Sequence, residues 1–190
     1  MYNLRLPKWR LLTTTIKFRG EAGFRRAFRK VLCMLIGADL VLDVGCGIGV
    51  ATKEMAKISA EVIGTDLSKR DIIEAKERNP MLDFIICDAE TFPFRDSVFD
   101  AVVFIDVLHH LMNPKVAIDC AGAISRGKVL ILDINRSESL VKRCLEEIYW
   151  FVFDAGRRYF DKHDWRELVG EAHYQFLGYR VVICKEIVLE

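Results

Sequence analysis

Three glycines at alternate positions, Gly45, Gly47 and Gly49, follow the apolar run Leu40–Val44, and a helical pattern opens behind them at Val50. Strand, glycine turn and helix in that order bring backbone close to a ligand and aim helix N–H groups at it. Acids recur along the same stretch of chain. Asp43 stands two residues before the first glycine, and Asp66, Asp88 and Asp106 follow at intervals. A carboxylate accepts hydrogen bonds on two oxygens, so such a series can read hydroxyls and amines. Just beyond Asp106 lies the tandem His109-His110. Histidine titrates near neutrality and can take a proton from a hydroxyl or amine. The chemistry on offer is therefore ligand capture by backbone and carboxylates, with Asp106, His109 and His110 as candidate catalytic groups.

The elements that must position these residues alternate. Short apolar runs end at Val44, Asp66, Asp88, Asp106 and Asp133, with helical patterns over Ala51–Ile58, Lys69–Arg78 and Pro114–Ile124 between them. Ser68 is placed to cap the second of these helices, and Asn113-Pro114 to open the third. Alternation at this spacing predicts right-handed βαβ units, hence a doubly wound, mostly parallel α/β sheet in a three-layer α/β/α arrangement. Ligands of such sheets sit outside the carboxyl ends of the strands, where the acids fall. Before the sheet, Thr13–Ile36 has helical periodicity that Gly37 ends. After it, residues 137–153 read as an added helix. Lys162–His173 reads as a last helix, and Tyr179–Glu186 as a strand. A chain of 190 residues is one domain on this reading, with a helical cap over 1–37, a ligand-binding core over 38–133 and a substrate-side insert and tail over 134–190.

Composition narrows the classes. No apolar run approaches the length of a membrane span, and no apolar stretch of signal-peptide type follows the first basic residues, so a cytoplasmic protein is expected. The six cysteines are scattered with no C-x-x-C pair, which fits reduced core thiols and no metal site. Charge is lopsided: residues 1–30 hold nine Lys and Arg against Glu21 alone. Such an arm can meet nucleic acid, anionic lipid or an anionic substrate, or form a solvated face against an acidic body.

Two families use a glycine turn of this kind. The dinucleotide fingerprint wants Gly or Ala at position 50, where Val50 stands. D-x-G-x-G-x-G over Asp43–Gly49 instead resembles the first motif of the class I S-adenosylmethionine-dependent methyltransferases, of the small-molecule type. Val107-Leu108-His109-His110-Leu111, Asp88-Ala89-Glu90, Phe92-Pro93-Phe94 and Ser97-Val98-Phe99-Asp100 resemble later passages of the same family. The resemblance covers residues 38–133. It implies S-adenosylmethionine as cofactor and no metal. It also implies cofactor-binding roles for Asp43, Gly45, Cys46, Gly47 and Gly49 in the loop, and for Asp66 with the ribose hydroxyls. Asp88 and the Ala89 N–H would serve the adenine, with Leu67 and Ile105 packed on its faces.

A small organic or lipid-like methyl acceptor is the first expectation. The alternatives are an RNA or protein acceptor met by the basic arm, and a cofactor-binding subunit without chemistry. Aromatics of the insert, Tyr149, Trp150, Phe151, Phe153, Tyr159 and Phe160, with Arg157 and Arg158, are placed to close over an apolar acceptor. Two departures from the family stand out. Ser125-Arg126-Gly127-Lys128 replaces a proline-glycine-glycine turn, a change expected to touch only a loop. Only one strand is evident after Gly178. Either the sheet is short at its C-terminal edge, leaving room for a partner or a homodimer, or 173–177 forms the second arm of a tight hairpin.

Overall fold

The structure, a computed structural model, describes residues 23–137, 139 and 158–188. Seven strands form one sheet in the order β3-β2-β1-β4-β5-β7-β6. They are β1 (Leu40–Val44), β2 (Glu61–Asp66), β3 (Asp83–Ile86), β4 (Phe99–Ile105), β5 (Ser125–Ile134), β6 (His173–Phe176) and β7 (Arg180–Glu186). β1 to β5 pair in parallel, and β7 lies antiparallel between β5 and β6. The second arm of the hairpin is therefore present, and the sheet is not shortened. The edge expected to be open to a partner or a homodimer is filled by β7 and β6.

Helices cover both faces: α1 (residues 23–35), α2 (Val50–Met55), α3 (Lys69–Arg78), α4 (Pro114–Ile124) and α5 (Lys162–Val169). Alternation along the strands divides the core as a pleated sheet must. Val41, Ala101, Val103, Leu130, Leu132 and Val182 face α1 through Ala27, Val31 and Leu35. Leu42, Val102, Phe104, Val129, Ile131 and Ile183 face α4 and α5.

Local chemistry explains most element ends. Ser68 caps α3 by accepting the Asp71 N–H. α5 opens on a reciprocal capping box between Asp161 and Asp164. Asn113 does not cap α4 as expected. Its N–H and side-chain amide both donate to Glu90, at 2.8 Å each, and hold that carboxyl below its ordinary pKa. The Ser125–Lys128 segment is not a loop either, because β5 begins at Ser125 directly behind α4. Gly127 there passes so close to β4 that a Cβ would stand 2.4 Å from the Asp100 carbonyl oxygen.

The first expected helix is described only from residue 23. The expected helix over 137–153 lies outside the described residues but for 137 and 139, and with it Tyr149, Trp150, Phe151, Phe153 and Arg157. Among the described residues no helix is long and apolar enough to cross a membrane.

Candidate active site

The carboxyl ends of β1 to β4 enclose a cleft of about 380 Å³, inside the range of about 300–1,000 Å³ usual for small-molecule sites. Of the glycine loop, Gly45 lines the cleft. Gly45, Gly47 and Gly49 all have positive φ, a region that favours glycine. A Cβ on Gly45 would lie 2.3 Å from a methyl of Val107, so this backbone packs directly against the opposite wall. A Cβ on Gly47 would meet nothing within 4 Å, which leaves open space over the loop.

Asp66 ties the loop to β2. One carboxylate oxygen accepts the Gly47 N–H at 2.9 Å and the other the Ser68 N–H at 2.8 Å. Each keeps a lone pair for a ligand hydroxyl. Beside it, Leu67 is exposed, Asp88 accepts the Glu90 N–H at 2.9 Å, and Ala89 is buried against the cleft. Asp106 and His110 complete the polar lining.

Asp106 has φ 53, in the left-handed region. For a residue other than glycine such backbone costs of order 1–3 kcal/mol and persists only where surroundings hold it. Here Arg180 holds it, through a salt bridge between its guanidinium and the Asp106 carboxylate. Burial pushes the Asp106 carboxyl up to about 6, against the opposing pull of Arg180. Arg180 also lies over the Phe24 ring, 5.2 Å from its centroid, which brings this part of α1 to this end of the sheet.

Several expected residues stand elsewhere. Asp43 is buried beneath the loop, where it accepts the Thr52 hydroxyl at 2.6 Å and so pins α2 to β1. Burial raises its pKa to about 7. Cys46 is buried with its thiol near the Gly47 carbonyl. Burial first, then the charges of Asp43 and Asp66, push that thiol up. Gly49 caps α2 and does not line the cleft. Ile105 packs against the core under α1, and the apolar lining comes from Val44, Leu67, Ala89, Val107 and Leu111. His109 is buried, 2.5 Å from Asp133, and only His110 of the pair reaches the cleft.

Val107 and Leu111 flank the two histidines in the same quoted motif, and Cys87 precedes Asp88, so periodicity could have found all three. Asp133 carried a signal too, as a fifth strand-terminal acid. Arg180, in a strand remote from every motif, carried none.

This geometry can be set beside known proteins. A profile of the methyltransferase domain family matches residues 42–131, the stretch that builds the loop and cleft. Residues 42–131 match the class I S-adenosylmethionine-dependent methyltransferase family. A demethylmenaquinone methyltransferase of Renibacterium salmoninarum is 34% identical over 118 residues, 60% of this chain and 50% of that one. A ubiquinone biosynthesis O-methyltransferase of Mesorhizobium japonicum is 30% identical over 103 residues, 51% and 41% of the two chains. The chain thus spans about half the length of the curated relatives it matches. In fold it is similar to magnesium protoporphyrin IX methyltransferase of Synechocystis with bound SAH, with TM-score 0.67 at 19% identity over 88% and 84% of the chains. The cofactor of the family is S-adenosylmethionine.

Proposed function

We propose that this chain transfers a methyl group from S-adenosylmethionine to a small organic or lipid-like acceptor. The observation that carries the reading is the convergence of Gly45 of the glycine loop, Asp66, Asp88 and His110 on one cleft at the strand ends. When bound there, S-adenosylmethionine supplies an electrophilic methyl group on a sulfonium centre. Asp66 would accept its ribose hydroxyls. Asp88 and the Ala89 N–H would serve the adenine, with Leu67 and Val107 against its faces. The open face of Gly47 would admit the amino-acid end. Acids around the cleft also suit a cationic ligand. His110, exposed and on the lining, is placed to take the proton an acceptor hydroxyl gives up as it is methylated. The relatives' names make quinone precursors the first acceptors to try.

Calorimetric titration with S-adenosylmethionine and S-adenosylhomocysteine, with NAD as control, tests the site. Both adenosyl compounds should bind, and Asp66→Ala should weaken them by about tenfold or more, since a charged hydrogen-bonding group to the ribose is lost. Binding of NAD alone would sink the proposal. An RNA acceptor is the second reading. It rests on the exposed Arg25, Arg26 and Arg29 of α1, whose Phe24 lies against Arg180. Affinity for RNA that falls steeply with salt would favour it.

A further inference from the structure

Resting on the methyltransferase reading of the cleft, we propose that Asp133 and His109 are a positioning pair. They fix the turn over 107–111 so that Val107 and Leu111 face the cofactor and His110 faces the acceptor. Neither residue lines the cleft, so their effect passes through the turn.

Asp133 is fully buried in β5, between Leu132 and Ile134. A carboxylate there is costly unless its oxygens are satisfied, and an apolar residue would serve the packing more cheaply. Its hydrogen bonds show where the acid is used. One oxygen accepts the Leu108 N–H at 3.0 Å. The other takes the His109 Nδ1 at 2.5 Å and the Ile134 N–H at 2.6 Å. Two of the three partners belong to the 3-10 turn Leu108–His110. Asp43 of β1 holds α2, and Asp66 of β2 braces the glycine loop. Asp133 reaches instead across to the opposite wall.

His109 is gripped on its other sides. Its ring stacks on Tyr159 with centroids 5.6 Å apart and lies 4.1 Å from the ring of His110. Its carbonyl oxygen accepts the Arg158 N–H at 3.1 Å. Arg180 holds Asp106 at the entry to the same segment. Between these two anchors sits Val107, whose methyls fill the space a Cβ on Gly45 would take. A shift of the turn therefore moves the cofactor wall and His110 together. The tandem histidines divide the work, one buried as an anchor and one exposed in the cleft.

The test compares His109→Asn with His109→Gln in the full chain. Both are neutral amides, but only the shorter one places an N–H where Nδ1 stands, whereas glutamine is nearer to histidine in size. S-adenosylhomocysteine affinity is read by calorimetry, and amide hydrogen exchange over 107–111 is read without ligand. The pair predicts slow exchange in the Asn variant and fast exchange in the Gln variant. It also predicts affinity within about threefold of the unmodified protein for Asn and lower by about tenfold or more for Gln, as a less populated competent turn requires. Equal exchange in the two variants, or better retention by Gln, overturns the positioning role. If neither variant folds, the unmodified protein decides. Its other three histidines are exposed, so a single imidazole N–H protected from solvent exchange is expected, and its absence overturns the pair. Failure of the unmodified protein to bind S-adenosylhomocysteine, with the exchange difference intact, would remove the cofactor reading and leave the turn anchor standing.

Discussion

Asp43 carries the first residue-scale consequence. Burial holds its carboxyl at about 7 in the fold, against an ordinary 3.8. A carboxyl whose pKa is raised by folding binds its proton more tightly in the folded chain. Stability is then full below about pH 4 and declines as pH rises through about 7. Asp43→Asn keeps an acceptor for the Thr52 hydroxyl and removes the titration. Urea unfolding at about pH 5 and about pH 8 should show the unmodified protein losing up to about 3 kcal/mol that the variant keeps. Identical pH slopes would mean that Asp43 is already ionised in the fold. At this scale the acids were legible because each closes a strand. Their uses were not, since Asp43, Asp106 and Asp133 are separated by burial and partners. A hydroxyl at Thr52, a guanidinium at Arg180 and an imidazole at His109 settle those uses, across 9, 74 and 24 positions of chain.

Among elements, the junction of α4 with β5 is the most sensitive. The register of β4 against β5 shifts between Phe99 and Ala101, and Gly127 lies against the Asp100 carbonyl where the shift occurs. The Asp100 side chain secures the same corner. It accepts the Leu40 and Asp39 N–H groups at 2.9 and 3.0 Å and Arg126 at 2.7 Å, and the Arg126 hydrogen bond leads in holding its pKa low. Gly127→Ala should cost about 1–3 kcal/mol, because backbone rather than a yielding side chain must move. Chemical unfolding reads this as an earlier midpoint with unchanged slope. Strands β1 to β5 could be read from their apolar runs, and α3 from Ser68. β6 could hardly be read: His173–Phe176 is short and carries no β-branched residue, and β7 makes it a strand. Asn113 misled because its bonding went to Glu90, a partner that local sequence does not reveal.

For the molecule as a whole, the two cores share one sheet. Val41 and Leu42 are neighbours in β1 yet belong to opposite cores, as do Ile131 and Leu132 in β5. Neither core can open without removing one wall of the other. Thermal unfolding should therefore be one cooperative transition, with far-UV and near-UV circular dichroism changing together. Separate midpoints would mean that the helical layers detach independently. The three-layer plan was legible because strand and helix periods alternate. The closing order of the sheet was not, because it depends on pairings distant in sequence. β7 follows β6 in the chain and yet sits inside the sheet, between β5 and the strand made just before it. During synthesis β5 thus emerges with an unpaired side that more than forty residues must pass before covering. Pairing at such separation is slow and leaves an apolar edge open to other nascent chains. The same insertion that completes the fold makes its birth the moment of greatest risk.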